Sequence, residues 1–368
     1  MNIALILPGF SHHPDDWAIP ALQAYATTLG HHHTLHLFSL RYPPAGTYPW
    51  PTFTHHATGG GAAGRLHSLR IIHQTLAAIY HQHRQTPFHL FHAFWADEPG
   101  LTALLAARLT RRPALISLGG GELTARPDLN YGTALSPLRR ALVHLVLRHA
   151  IALTAGSPYQ TDITRSAAPA ATIHLAPLGI NPATFPPTPP PPLDQPTLIQ
   201  VASLTAIKNQ HLLLDTLAII KQTIPNIHLH LIGQGPLHQQ LTTYAQQKNL
   251  TPNLTLHGPI PHPQLPRYYQ QAHLYLQTSH HESQGVAPLE ALATGRPLLG
   301  TPVGLLPTHA AAPTTTDPNT LATQAIHLLT NPTTYHQAHH TALTHAPRYH
   351  LPTTLQTFLD LYQQFENC

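Results

Sequence analysis

The chain has 368 residues, of which 42% are hydrophobic and only 9% are charged, against about 25% charged residues in ordinary soluble domains. This hydrophobic fraction excludes a disordered, collagenous or coiled-coil protein. The single cysteine, Cys368, excludes an intrachain disulfide, a zinc ribbon and a cysteine nucleophile. We therefore expect a globular protein of two domains in a reducing cytoplasm.

The charged residues are divided unevenly along the chain, whose 18 basic and 14 acidic side chains give a formal net charge of +4. Residues 1–185 hold twelve arginines and seven acidic residues, whereas residues 186–368 hold six basic and seven acidic residues. The arginines are spread out without interleaved aromatic residues, so we expect no nucleic-acid binding. The 33 histidines recur throughout without a pair at i, i+4 backed by a carboxylate, so we expect no metal site.

In the N-terminal part, apolar strand-like runs alternate with helical patterns, which predicts a parallel sheet of βαβ units at residues 1–180. The first run, residues 3–7, is stopped by Pro8 and is too short for the core of a signal peptide. Nowhere does a run of about 18 apolar residues predict a membrane span. The predicted strands are 3–7, 34–39, 88–92, 114–118 and 150–155, and the predicted helices are 17–29, 66–83, 100–109 and 138–149.

This alternation stops at residues 185–192, where six prolines predict an extended and semi-rigid segment. We interpret residues 181–196 as an interdomain linker, with a docking peptide for a proline-binding partner as the alternative. The alternation then restarts and predicts a second doubly wound α/β domain at residues 197–346. Its predicted strands are 198–202, 228–232, 254–257 and 274–277, and its predicted helices are 209–223, 236–248 and 265–272. A ligand is expected between the two domains, at the carboxyl ends of the strands.

The most informative segment for chemistry is residues 281–297. Its central part, residues 286–294, has helical spacing, and Gly295 and Pro297 end the helix. Free N–H groups and the helix dipole at the start of such a helix favour an anion such as a diphosphate. The residues at this start are Ser283, Gln284, Gly285 and Val286.

Two carboxylates frame this helix start, with Glu282 just before it and Glu290 within the helix. Their spacing, followed by Gly-Arg-Pro at 295–297 and Thr-Pro-Val-Gly at 301–304, resembles glycosyltransferase family 4. The resemblance implies GT-B architecture, with two doubly wound Rossmann-like domains facing a central cleft, and a nucleoside-diphosphate sugar as donor without a further cofactor. It also implies that Glu290 binds the ribose hydroxyls and that Glu282 binds the donor sugar.

Further segments match the same family in chain order: residues 155–157, 177–181 with Phe185, 201–208 and 231–237. Lys208, one of only three lysines, falls where the family carries a lysine for the donor phosphates. The family's arginine falls on Ser203, which can hydrogen-bond to a phosphate but adds no charge. The resemblance also implies that residues 347–368 form a helix that crosses back to the N-terminal domain.

The acceptor side is expected in the N-terminal domain. Gly9 matches a loop near the donor phosphates and the acceptor, with a plain turn as the alternative interpretation. His92 is a candidate contact to the sugar or the acceptor, with a structural histidine as the alternative. Glu122 and Asp128 are candidates to orient or deprotonate an acceptor hydroxyl. A histidine that is frequent in the family is replaced here by Gly119.

We therefore predict a metal-independent glycosyltransferase that retains configuration, with Lys208 and Glu282 as the catalytic candidates. The acceptor would be a glycan, a lipid-linked saccharide or a small molecule. A sugar-nucleotide-binding protein without turnover and a nucleotide-sugar 2-epimerase stay open as alternatives. The basic helix at 138–149 leaves peripheral contact with the inner face of a membrane open, with a solvated helix face as the alternative.

Overall fold

The computed structural model describes residues 1–16, 19–61 and 65–366, which form two compact units. The first unit runs from Met1 to Gly179 and includes the described residues from Leu351 onward, and the second unit is Ile180–His350. Trp17, where the first helix was expected to start, and Cys368 lie outside the described residues. Both units are α/β domains with a Rossmann-like sheet, which confirms the predicted fold class.

The first unit is built around one largely parallel sheet. Its strands are β1 (Asn2–Gly9), β2 (Thr34–Tyr42), β3 (Gly46–Pro49), β4 (Thr54–Ala57), β5 (Leu90–Phe94), β6 (Ala114–Leu118), β7 (Ala152–Ala155) and β8 (Ile173–Leu175). Their order across the described part is β3-β4-β2-β1-β5-β6-β7-β8, and only β3 runs antiparallel to its neighbour there. The helices are α1 (Pro20–Leu29), α2 (Arg65–Gln85), α3 (Glu98–Thr110), α4 (Pro137–His149) and α5 (Pro158–Ala167).

The second unit has a smaller, wholly parallel sheet with the order β11-β10-β9-β12-β13. These strands are β9 (Thr197–Val201), β10 (His228–Ile232), β11 (Leu254–Gly258), β12 (Leu274–Gln277) and β13 (Leu298–Gly300). The helices are α6 (Gln210–Thr223), α7 (His238–Gln247), α8 (Pro266–Gln271), α9 (Val286–Ala293), α10 (Leu306–His309), α11 (Pro318–Thr330) and α12 (Pro332–His345).

The last helix, α13 (Leu351–Gln364), packs on the first unit. Phe358 is fully buried in the same core as Leu5 and Tyr25. The hydroxyl of Tyr362 lies 2.5 Å from that of Tyr25 and 2.6 Å from Nδ1 of His92 on β5. The chain thus returns to complete the first unit after the second unit is finished.

The proline-rich segment is part of the second unit in the structure. Phe185 is buried in the core of that unit, and the fully buried Arg296 donates hydrogen bonds to the backbone carbonyls of Thr188 and Pro189. The same guanidinium bonds to the backbone carbonyls of Ala272 and Thr294. Residues 185–189 are therefore held against the second unit by a buried cation that has only neutral acceptors among the described residues.

No helix in the described ranges is both long enough and apolar enough to cross a membrane.

Candidate functional site

The expected donor site lies where the order of the second sheet reverses, between β9 and β12. The crossovers from these two strands leave in opposite directions, which opens a crevice at their carboxyl ends. The chain after β9 carries Lys208, and the chain after β12 carries Glu282. The fold thereby brings together two side chains that are 74 positions apart in the sequence.

The backbone of the loop that presents Lys208 is fixed by hydrogen bonds from two residues just after β12. Lys208 ends a single 3₁₀ turn, Ala206–Lys208. The N–H of His280 donates to the carbonyl of Ile207 at 2.8 Å, and Thr278 Oγ1 donates to the carbonyl of Lys208 at 3.0 Å. Because these contacts hold the backbone on both sides, the lysine stem starts from a defined position.

Glu282 is the centre of a compact polar cluster. Its Oε1 accepts hydrogen bonds from Lys208 Nζ, from Gln277 Nε2 at 2.8 Å and from Ser279 Oγ at 3.1 Å. Burial opposes ionisation of this carboxyl, but the Lys208 ammonium and the neutral donors outweigh burial and lower the pKa of Glu282 below its usual value. The site therefore holds an ion pair that is prepared before any ligand arrives. The donors Gln277 and Ser279 were not predicted from the sequence, although both lie in the strand and turn that lead to Glu282.

Helix α9 begins directly after this cluster, as its capping pattern predicted. Gly285 precedes the first helical residue, Val286, and has a φ of +89° that favours glycine. The carbonyl of Gln284 accepts from the N–H of Leu305 at 3.1 Å. Gly304 allows this contact, because a Cβ at its position would lie 2.5 Å from the Gln284 oxygen. The helix start formed by Ser283, Gln284, Gly285 and Val286 is thus braced by the loop after β13.

The second carboxylate of the motif, Glu290, is buried within α9 and has partners on both oxygens. Tyr269 donates to its Oε2 at 2.7 Å, and His262 Nε2 lies 2.7 Å from its Oε1. Each carboxylate oxygen has two lone pairs, so these contacts leave capacity for ligand hydroxyls. The ribose-binding role of Glu290 stays a prediction, as do the donor-binding roles of the other motif residues.

Ser203 lies at the exit of β9 with an exposed side chain. Its Oγ is 3.3 Å from Thr205 Oγ1, and its carbonyl accepts from Gln210 Nε2 at 2.9 Å. No cation occupies the place where the family pattern has arginine. Lys208 is consequently the cation of this cluster among the residues that the structure describes.

In the first unit, the corresponding reversal of strand order lies between β1 and β5. Gly9 is the last residue of β1 and pairs with Tyr42 of β2, and its expected contact with a donor stays a prediction. His92 lies inside β5, is fully buried and hydrogen-bonds through Nε2 to Ser117 Oγ at 2.7 Å. With Tyr362 on its other nitrogen, this histidine has the contacts of a core residue.

The two acidic candidates of the first unit differ in their surroundings. Glu122 is buried, and its carboxylate accepts from the N–H groups of Gly119 at 3.0 Å and Gly120 at 2.7 Å. Burial raises the pKa of Glu122 although these donors oppose it. Asp128 is exposed and paired with Arg126 at 2.7 Å. Neither contact tests the expected roles toward an acceptor, which remain predictions.

The structure gives a physical reason for Gly119. Trp95, the residue that follows β5, has a φ of +72°, a conformation that bulky side chains adopt rarely. A Cβ at Gly119 would lie 2.9 Å from the Trp95 indole, and one at Gly120 would lie 2.9 Å from its Nε1. The indole therefore occupies the space that a side chain at position 119 needs.

Asp97, two residues beyond Trp95, was not predicted from the sequence. Its Oδ1 is buried and has no hydrogen-bond partner among the described residues. A signal was available, because Asp97 is one of only 14 acidic residues and follows a predicted strand.

The family described as "Glycosyl transferases group 1" matches residues 184–342. A phosphatidylinositol N-acetylglucosaminyltransferase subunit from Arabidopsis thaliana is 26% identical over 149 residues. This alignment covers 40% of the present chain and spans only a third, 33%, of the length of the plant protein.

Two solved structures share the fold over nearly the whole chain. Sucrose-phosphate synthase (tll1590) from Thermosynechococcus elongatus has a TM-score of 0.81 at 19% identity and covers 99% of both chains. HepE (Alr3699) from Anabaena, solved in complex with UDP and glucose, has a TM-score of 0.74 at 17% identity and covers 99% of this chain and 100% of its own. Residues 184–342 are thus similar to the glycosyl transferases group 1 family, and the two solved structures share the fold of both units.

Proposed function

We propose that this protein transfers a glycosyl group from a nucleoside-diphosphate sugar to an acceptor hydroxyl with retention of configuration, in the manner of glycosyltransferase family 4. The observation that carries this proposal is the Lys208–Glu282 pair beside the start of α9, at the reversal point of the second sheet. The family match covers these residues. UDP is the first donor nucleotide to test, because HepE was solved with UDP and glucose.

The charge change of this reaction determines what the residues must do. As the bond between the anomeric carbon and the diphosphate oxygen breaks, negative charge grows on the leaving diphosphate. The Lys208 ammonium and the N–H groups at the start of α9 stabilise that charge. The acceptor oxygen bonds to the anomeric carbon on the face that the diphosphate leaves, and the acceptor proton passes to a departing phosphate oxygen.

Glu282 has two functions in this scheme. In the free protein it keeps Lys208 in place, since the two side chains form an ion pair with little exposure to solvent. With the donor bound, its carboxylate accepts hydrogen bonds from hydroxyls of the donor sugar. Glu290, held by His262 and Tyr269, accepts hydrogen bonds from the ribose hydroxyls.

Calorimetric titration with UDP, GDP and ADP tests the donor site. We expect one nucleotide to bind, and we expect Lys208→Ala to weaken its binding by about ten-fold to a hundred-fold, the usual range for one charge-assisted hydrogen bond. Lys221→Ala is the matched control, because Lys221 is partly exposed and bonds only to the carbonyl of Asn249 among the described contacts. Equal binding by both variants would contradict the assignment of Lys208.

Turnover is tested with the corresponding nucleotide sugar. Release of the nucleotide that depends on an added acceptor supports transfer. Isomerisation of the sugar nucleotide without any acceptor would instead support a 2-epimerase. Nucleotide binding without either reaction would support a binding protein, for which the missing cation at Ser203 is the structural argument.

A further inference from the structure

The carboxyl edge of the first sheet holds two cavities that share three lining residues: Pro8, Asp97 and Arg139. One cavity has a volume of about 420 Å³ and the other about 760 Å³. Both volumes are within the usual range of small-molecule sites, about 300–1,000 Å³. They lie where β1 and β5 end, which is the position at which doubly wound sheets bind ligands.

The smaller cavity has the chemistry of a sugar or polyol site. Trp95 and Tyr131 provide aromatic surfaces, and Asp97 and Arg139 provide a carboxylate and a guanidinium. An aromatic ring covers the apolar face of a pyranose, while charged groups hydrogen-bond to its hydroxyls. The left-handed backbone of Trp95 is held by a hydrogen bond from its N–H to the Ser117 carbonyl at 2.8 Å, so the ring is placed by the sheet.

The larger cavity is mainly apolar, and helices α2, α3 and α4 form its walls. Its apolar lining consists of Leu69, Ile72, Leu101, Leu138 and Leu142. Leu69 and Leu138 are 64% and 59% exposed, a high value for leucines beside a cavity. The charged pair at its wall, Arg41 and Glu98, forms two hydrogen bonds of 2.6 and 2.8 Å and so neutralises itself.

Asp97 lies where the two cavities meet. Its buried Oδ1 has no donor in the described part of the chain, although buried carboxylate oxygens normally have one. Burial, followed by the neighbouring Glu98 carboxylate, raises the pKa of Asp97, while hydrogen bonds from the backbone N–H groups of Asp97 and Glu98, followed by the Arg139 charge, oppose this effect. Because Asp97 lines both cavities, we place a ligand hydroxyl on its carboxylate.

We propose that these joined cavities bind the acceptor, and that the acceptor is a glycoside or polyol that carries an apolar chain. The polar part lies against Trp95 and Tyr131 with a hydroxyl donating to Asp97, and the chain lies along Leu101 and Leu142. This inference rests on the proposed function only in calling the bound molecule the acceptor. The binding site itself does not depend on that function. Asp97 is an acceptor-binding residue in this assignment.

A matched pair of ligands tests the proposal. We would titrate the full chain by calorimetry with n-octyl β-D-glucopyranoside, below its micelle concentration, and with methyl β-D-glucopyranoside. The two differ only in the apolar chain, so burial of that chain should make the octyl compound bind at least about ten-fold more tightly. Equal affinities, or no binding of either compound, would overturn the proposal.

Two pairs of variants locate the binding. Leu142→Trp should fill the apolar cavity and weaken the binding of octyl glucoside by about ten-fold. Leu145→Trp, on the same helix but outside the lining, should leave this affinity unchanged. Asp97→Asn should weaken it by about ten-fold, while Asp128→Asn should not, because Asp128 is exposed. If either control variant loses as much affinity as the variant it is paired with, the binding is non-specific detergent association and the proposal fails.

Nucleotide titrations of the same proteins separate the two proposals. Leu142→Trp and Asp97→Asn should bind UDP as the wild type does, because neither residue is among the candidates for donor binding and both lie outside the second unit. Octyl glucoside binding without any nucleotide binding would refute the proposed function and support the cavity. Nucleotide binding and donor turnover without octyl glucoside binding would refute the cavity alone.

Discussion

Glu282 and Glu290 of the second unit differ from Asp97 of the first unit in how their carboxylate oxygens are satisfied. In the second unit, Glu282 accepts from Lys208, Gln277 and Ser279, and Glu290 has partners on both oxygens. In the first unit, Asp97 has a buried oxygen without a donor among the described residues. A fully paired carboxylate contributes to folding, whereas an unpaired one costs free energy until a ligand binds. The carboxylates of the proposed donor site are therefore paired before any ligand binds, whereas Asp97 at the proposed acceptor site is not fully paired.

The largest expected effect comes from a substitution that tests whether the two units are stabilised separately. Phe358→Ala should destabilise the first unit by about 3–5 kcal/mol, because Phe358 is fully buried in its core. Native-state hydrogen exchange should show faster opening of β1 and β5, with β9 and β12 unchanged. The exposed Gln363→Ala is the control on the same helix. Equal acceleration in both sheets would show that the units unfold together.

The comparison of carboxylates predicts opposite responses to amide substitution. Glu282→Gln should lower the free energy of unfolding by about 2 kcal/mol, because it leaves the Lys208 ammonium without its counter-charge. Asp97→Asn should change it by no more than about 0.5 kcal/mol or should stabilise the protein, since it removes a buried charge that has no donor on Oδ1. Urea unfolding of both variants measures the difference. A larger loss for Asp97→Asn would reverse our interpretation of the two sites.

The free energy of unfolding should fall in acid, in part because of His92 in the first unit. Burial lowers the pKa of His92 from 6.5 to about 3, so below pH 6.5 the unfolded state binds a proton that the folded state does not. Its contribution to stability is constant above pH 6.5 and falls as the pH drops from there toward 3. Between pH 7.5 and 5.5 this loss is about 1 kcal/mol. His92→Gln should show a correspondingly smaller fall, measured by urea unfolding at both pH values, and an equal fall would contradict the assignment.

The smallest expected effect concerns Ser203, which stands in the proposed donor site where the family pattern has an arginine. Ser203→Arg should strengthen binding of the preferred nucleoside diphosphate by about five-fold, because one charge-assisted contact to phosphate is gained at an exposed position. Ser203→Gln supplies a similar length without charge and should bind as the wild type does. Calorimetry at two salt concentrations would show whether the gain is electrostatic. An unchanged affinity would place Ser203 away from the phosphates.

Much of the fold could be predicted because strands of a parallel sheet are buried on both faces and appear as continuous apolar runs, as residues 3–7 do. The start and end of α9 were also predictable, since Gly285, Gly295 and Pro297 act locally. The hairpin of β3 and β4 was missed because its strands have four residues each and contain proline or histidine. Helices α5, α11 and α12 were missed because threonine, histidine and glutamine take the polar positions that usually carry charged residues.

The two sites were not equally predictable. The residues of the proposed donor site at 282–290 lie in one short segment, so their spacing could be compared with a family pattern. Asp97 acquires its meaning only from its neighbours in space, because Pro8, Ile72 and Arg139 come from separate parts of the chain. The unpaired state of its oxygen depends on the absence of nearby donors, which no local pattern encodes. The same holds for Gly119, because only the structure shows that the Trp95 ring fills the space of a side chain at that position.

The buried guanidinium of Arg296 determines where the protein can be divided for separate expression. Its bonds to Thr188 and Pro189 mean that a fragment starting at residue 197 would lose three of its acceptor contacts and would expose an apolar surface where Phe185 packs. A fragment of the second unit should therefore begin at Ile180. For the first unit, a Cβ on Gly179 would lie 2.7 Å from Leu351 Cα, so a short turn can join these two residues and remove the second unit as a cassette.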